Sequence, residues 1–132
     1  MLLYLLIALG GALGSVARFS LNGVVSTQFG ALFPWGTLVV NVTGSFLIGF
    51  FFTLTEPGGR LFASSHTRQF FMTGVCGGYT TFSSFSLQTL DLLRGGEWLR
   101  AGANTVASVI LCLLAVWLGH IAAAAINQMK GS

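Results

Sequence analysis

Apolar residues fill four long stretches of the chain, at about 2–25, 35–55, 67–93 and 98–127, and nearly all the charged residues fall between them or near their ends. A helix that crosses a bilayer needs about 20 mostly apolar residues, so each stretch is long enough to be one crossing. The first carries Arg18 in its second half, the second carries no charge, and the third is interrupted by glycines. The connections, Phe29 to Pro34, Glu56 to His66 and Arg94 to Glu97, are short and leave no room for an extramembrane domain. The pattern predicts a single all-α membrane domain of four transmembrane helices, the third of them broken.

Within these apolar stretches the polar residues recur at helical spacing. Thr37, Asn41 and Ser45 are four apart in the second span, and Asn104, Ser108 and Cys112 repeat that interval in the fourth. At about 100° per residue, Ser84, Gln88, Thr81, Phe85 and Phe82 of the third span fall in that order across an arc of about 160°. Hydroxyls and amides both donate and accept, so such stripes suit an anion or a cation. They equally suit hydrogen bonds that tie membrane helices together, and both readings stay open on the pattern alone.

The run from Gly74 to Phe85 is the most irregular. Three glycines in five residues, followed by hydroxylated residues suited to capping, predict a helix interrupted in mid-membrane. Such backbone survives at that depth only where protein or a watery cavity satisfies it. An interruption frees carbonyls for a cation and points the next half-helix's positive N-terminal end at an anion.

Composition narrows the class. Of 132 residues, 54 % are hydrophobic and 7 % are charged, against about 25 % charged in soluble domains, which excludes an ordinary soluble protein. The net charge of +3 comes from scattered residues, giving no basic track for a phosphate backbone, so nucleic acid is not an expected partner. Cys76 and Cys112 both sit in apolar stretches, too sparse for a disulfide framework, and read as reduced, lipid-buried thiols. The Leu-rich start lacks the basic region of a signal peptide and reads as a retained first span. The terminal Gly131-Ser132 reads as an expression remnant and carries no weight. Trp35 and Trp98 open the second and fourth spans on one side, at the level where indole rings favour the interface. Gly10-xxx-Gly14 and Gly74-xxx-Gly78 are spaced for close helix packing.

Charge placement bears on orientation. Four spans put Arg60, Arg68 and Lys130 on one side and Arg18, Arg94 and Arg100 on the other. Since the Lys/Arg bias of short loops sets how a membrane protein inserts, three against three predicts insertion both ways and hence an antiparallel homodimer. The alternative is a single orientation set by one dominant charge such as Arg18, or by the amino terminus.

Catalytic chemistry finds no home in this pattern. Glu56, Asp91 and Glu97 are the only acids, and all three flank spans. No paired carboxylates, phosphate loop or Cys/His metal spacing occurs, and the chain is not expected to be an enzyme. His66 lies in a connection, and His120, alone in the fourth span, reads as a neutral, hydrogen-bonded structural residue.

Three blocks resemble one known family: Gly10-Gly11-Ala12-Leu13-Gly14-Ser15-Val16-Ala17-Arg18-Phe19; Gly36-Thr37-Leu38-Val39-Val40-Asn41-Val42-Thr43-Gly44-Ser45-Phe46; and Gly77-Gly78-Tyr79-Thr80-Thr81-Phe82-Ser83-Ser84-Phe85-Ser86. In order and spacing they are similar to the signature blocks of the Fluc/CrcB fluoride channels, and the resemblance covers all four spans. It implies a dual-topology antiparallel homodimer in the bacterial inner membrane that passes fluoride passively through two pores, surrounded by lipid, with a structural sodium ion at the central interface. It implies Phe82 and Phe85 as the paired rings whose edges face fluoride, Asn41 as an amide donor, and Thr81 and Ser84, with Ser108 of the fourth span, as the hydroxyl track. The backbone carbonyls of Gly77 and Thr80, from both subunits, would hold sodium, and Arg18 would attract anions near the vestibule. Gln88 stands where many members carry an acid, and Asn104 and Cys112 depart from a more Tyr/Ser-like pattern around Ser108. Two other classes compete. A small multidrug antiporter shares the four-span dual topology but needs an intramembrane carboxylate, which this chain lacks; a non-conducting scaffold would use the stripes only as glue.

Overall fold

The computed structural model describes residues 1–129; Lys130 of the charge count and the terminal Gly131-Ser132 lie outside the described residues. Three helices are long and apolar enough to cross a membrane: α1 (Leu2–Phe29), α2 (Trp35–Leu54) and, last in the chain, α6 (Trp98–Met129). At 1.5 Å per residue, α2 is roughly 30 Å long, the thickness of a bilayer's hydrocarbon core. Between α2 and α6 the chain runs through α3 (Ser65–Gln69), a π-helical stretch (Phe70–Cys76), α4 (Gly77–Tyr79) and α5 (Phe82–Arg94). Neither half of this interrupted segment is long enough to span alone; end to end they match one crossing. Both α1 and α6 run beyond the expected ends at Val25 and Asn127.

Local chemistry explains the ends. Gly30 takes φ 85°, a conformation open to glycine, and its N–H closes α1 on the Ser26 carbonyl at 2.8 Å. Ser64 caps α3, its hydroxyl accepting from the Thr67 N–H at 3.2 Å. Gly96, at φ 79°, turns the chain from α5 into α6, with the Glu97 N–H reaching back to the Leu92 carbonyl at 2.8 Å.

Two close helix pairs build the interior. Helices α2 and α6 run side by side in the same direction, so Trp35 and Trp98 stand at the same end, both exposed. Their backbones meet at glycine: a Cβ on Gly49 would strike the Val116 carbonyl, and one on Gly119 would strike the Phe46 carbonyl. The second pair is α1 against the π-helical stretch and α4. Here Gly10 meets Gly74, Gly14 meets Val75 and Tyr79, and Gly78 meets Gly11, so the two small-residue motifs share one close seam. A Cβ on Gly10 would lie 2.6 Å from the Phe70 carbonyl oxygen, and one on Gly78 would lie 2.5 Å from that of Gly11. Outward faces are apolar: Leu9, Leu13, Val16 and Phe19 of α1 and Leu113, Leu114, Trp117 and Leu118 of α6 are exposed, as residues in contact with lipid tails should be.

The glycine run does not break the third span in the manner expected. Gly77 is ordinary right-handed helix, at φ −63° and ψ −37°, and none of Gly74, Gly77 and Gly78 has a positive φ. Gly74 and Gly78 give up their side chains so that α1 can come close, and the chain leaves the helix at the next two residues, Thr80 and Thr81. The two thiols differ in setting: Cys76 is buried among helices, and Cys112 is half-buried on the wall of an open cavity.

Candidate functional site

Thr80 and Thr81 are extended, at φ −84°, ψ 159° and φ −152°, ψ 123°. β-Branched residues favour that region, and the threonine hydroxyls supply local hydrogen bonds in place of those the helix loses. The Thr80 hydroxyl donates to the Cys76 carbonyl at 3.0 Å, closing the first half, and the Thr81 hydroxyl accepts from the Ser84 N–H at 3.1 Å, capping α5.

The rest of the interruption is held by side chains from α1 and α2. Asn41 meets Thr81 as a second peptide group would: its amide nitrogen donates to the Thr81 carbonyl at 3.0 Å and its oxygen accepts the Thr81 N–H at 2.8 Å. Arg18 donates from Nε to the Gly78 carbonyl at 3.0 Å. Both thereby satisfy backbone that helix geometry abandons, the condition for irregular chain at membrane depth. Because Asn41 takes the Thr81 N–H, that donor no longer closes the helical bond to the Gly77 carbonyl, and the extended Thr80 turns its own carbonyl out of the helix ladder.

A cavity of about 420 Å³ opens beside the interruption. Its walls include Asn41 and Ser45 from α2, Gly77, Thr80 and Thr81, Phe82 and Phe85 from α5, and Ser108 and Cys112 from α6. The two rings lie 5.4 Å apart and are tilted by 47°. Phe82 is 78 % exposed, so its ring is free to present its edge, the positive part of the quadrupole, to an anion. The second amide hydrogen of Asn41, the hydroxyls and the N-terminal end of α5 add further donors and positive potential. Among the described residues no charged side chain lines the cavity.

Seven of the nine residues singled out from the sequence thus share one cavity: Asn41, Gly77, Thr80, Thr81, Phe82, Phe85 and Ser108. Arg18 and Ser84 do not line it; Arg18 lies behind the interruption on Gly78, and Ser84 contributes the N–H that Thr81 caps. The α6 stripe divides. Ser108 and Cys112 reach the cavity, while buried Asn104 donates to the Thr89 hydroxyl at 3.0 Å and accepts from Ser108 at 3.4 Å, tying α6 to α5. Gln88 lies apart, in a small cavity of about 130 Å³ with Asn22, Ser26 and Asp91. His120 is hydrogen-bonded, its Nδ1 lying 2.8 Å from the Thr53 hydroxyl. The Thr43–Tyr79 hydroxyl pair, 2.8 Å apart, and the two hydrogen bonds of Asn41 to the Thr81 backbone were not foreseen; the stripe marked Asn41 as polar but not what it would bind.

An apolar exterior, three spanning helices and a fourth crossing interrupted beside a polar cavity define a polytopic membrane protein built around a broken-helix site. Its sequence matches the family described as CrcB-like protein, Camphor Resistance (CrcB), over residues 5–120, and the chain belongs to that family. It is 67 % identical over 132 residues to a protein of Opitutus terrae, covering 100 % of both chains. It is 60 % identical over 129 residues to one of Methylocella silvestris, covering 98 % of each chain. With one of Rhodospirillum rubrum it is 59 % identical over 125 residues, 95 % of this chain and 97 % of the other. All three carry the name Fluoride-specific ion channel FluC. The chain is accordingly no enzyme but a multi-pass protein of the bacterial inner-membrane type.

Proposed function

We propose that this chain is a fluoride-selective channel that lets the ion leave the cell passively. The observation that carries the reading is the cavity at the Thr80–Thr81 interruption, where Phe82, Phe85, Asn41, Thr81 and Ser108 offer ring edges, an amide and hydroxyls without a fixed charge. A small hard anion is stabilised there by many weak donors, which hold it loosely enough to leave again. Ser84, off the cavity wall, would extend the hydroxyl track along α5, and the Arg18 guanidinium behind the interruption raises the local positive potential. A passive route uses the membrane potential and the concentration gradient, so it needs no ATP site and no intramembrane carboxylate. The names of the relatives support the same substrate.

The working unit in this reading is an antiparallel homodimer, four spans from each subunit, inserted in both orientations and holding two pores. Support comes from the even charge count and from the exposure of Gly77 and Phe82 on an unpaired face. A structural sodium ion fits the same face. The Gly77 and Thr80 carbonyls are both released from helix bonding, and carbonyl oxygens are the ligands a hard cation takes. Paired with their counterparts in the partner subunit they would hold the ion, which would supply charge compensation and fix the two interruptions against each other.

Fluoride efflux from liposomes, followed with an ion-selective electrode, tests the reading. Selective efflux over chloride is expected, whereas folded protein that passes no fluoride defeats the proposal and favours a scaffold. Exchanging sodium for a larger cation is expected to weaken the dimer or its activity; indifference to that exchange rejects the sodium site.

A further inference from the structure

At the far end of α2 from Trp35, the connection to α3 folds over a cavity of about 590 Å³ that the channel reading does not use. Its walls combine opposite kinds of chemistry. Arg68 is half-buried, its guanidinium 5.2 Å over the Phe52 ring, with one Nη donating a long 3.4 Å bond to the Thr55 carbonyl. Among the described residues Arg68 has no carboxylate partner, the one ion pair being Arg100 with Glu97, so the other guanidinium N–H groups remain to be used. Gln69 beside it accepts the Thr73 hydroxyl on Oε1 at 2.6 Å, which leaves its amide N–H₂ to donate, and the Ser65 hydroxyl lines the same wall. The exposed Glu56 lines the same cavity. The loop between Glu56 and Ser65 carries Leu61, 48 % exposed, and Phe62, 90 % exposed.

The cavity lies where an apolar span ends, at the level of lipid headgroups. We propose that it is a headgroup site for an ethanolamine phospholipid, with Arg68, Gln69 and Ser65 on the phosphate and Glu56 on the primary ammonium. Arginine presents a planar fork that matches phosphate oxygens, and Phe52 holds it in place by the attraction of cation for ring face. Glu56 makes the choice among lipids. A free anion meets only repulsion from it, a glycerol headgroup offers neutral hydroxyls without the charge of an ammonium, and a choline headgroup has no N–H to give it. Leu61 and Phe62 supply apolar surface at the depth of the first acyl carbons. Exposed rings there are unfavourable in water and favourable at a lipid interface.

Native mass spectrometry of the purified protein, given one lipid at a time, tests this directly. The wild type is expected to retain one ethanolamine phospholipid per chain, several-fold more than the choline or glycerol lipid of the same acyl chains. Arg68→Gln should reduce that retention about tenfold, the effect of losing a charged hydrogen bond. Glu56→Gln should leave glycerol-lipid retention no lower than in the wild type while abolishing the preference for ethanolamine. Equal retention of all three lipids by the wild type, or undiminished retention by Arg68→Gln, overturns the proposal. Displacement of the lipid by inorganic phosphate overturns it too, marking a free-anion site. Fluoride efflux by both variants, expected unchanged, reports that they are folded; should Arg68→Gln fail to assemble, Arg68→Lys keeps the charge without the fork, and retention as high as wild type then counts against the proposal.

Discussion

Asn41 and Phe82 differ in what they contribute, and substitution separates the two. Asn41 is committed to backbone on both edges of Thr81, so Asn41→Ala leaves a peptide N–H and C=O unpaired in a low-dielectric surrounding. A loss of about 1–3 kcal/mol is expected, the desolvation cost of such groups, visible as a lower melting temperature of the purified protein. Phe82 is mostly exposed in the single chain, and its replacement removes little internal packing. Phe82→Ile and Phe85→Ile are therefore expected to reduce fluoride efflux while the elution volume of the assembled protein stays that of the wild type; undiminished efflux in both would assign the rings to packing alone.

At the scale of elements, the contact of α1 with the π-helical stretch and α4 depends on glycine. A Cβ on Gly14 would lie 2.7 Å from the Tyr79 N–H nitrogen and closer still to the Val75 carbonyl, whereas one on Gly11 meets nothing within 4 Å. Gly14→Ala should destabilise the fold by about 1–3 kcal/mol or more, the cost of forcing atoms into a packed contact, and Gly11→Ala should be tolerated; thermal unfolding of the two side by side checks the contrast. These helices were legible as apolar stretches because lipid imposes a length and a hydropathy on any span, and the glycine motifs were legible by their spacing. The interruption was legible too, though for a partly different reason: the glycines serve α1, and the two threonines leave the helix. The π-helical stretch from Phe70 to Cys76 was not, since a wider turn leaves no mark in residue type. Nor was the Asn41 clamp, because hydrogen-bond partners 40 residues apart follow from packing and not from periodicity.

For the molecule as a whole, the charges bear on insertion. Arg60 and Arg68 belong to the end where α2 finishes, and Arg94 and Arg100 to the end where α6 begins. Arg18 is drawn inward to the Gly78 carbonyl and Arg100 is paired with Glu97. Both contacts fall on the second of these ends, but insertion follows the Lys/Arg count, to which acidic partners contribute little, and the sequence holds that count at three against three. A cysteine placed near the amino terminus should thus be labelled by a membrane-impermeant reagent from both sides of the membrane in about equal share, measured against a background lacking Cys76 and Cys112; labelling from one side only would refute insertion in both directions.

The hold on the interrupted crossing also has a bearing on manufacture. Arg18 is made 60 residues before the glycine it binds, and Asn41 is made 40 residues before its threonine. At a synthesis rate of about 5–20 residues per second, both are available seconds before their targets leave the ribosome. Each half of the third crossing is too short to enter the bilayer on its own account, yet it arrives after the two helices that will receive it. The order of the chain is thereby an assembly sequence in which the fixture is in position before the fragile part is delivered.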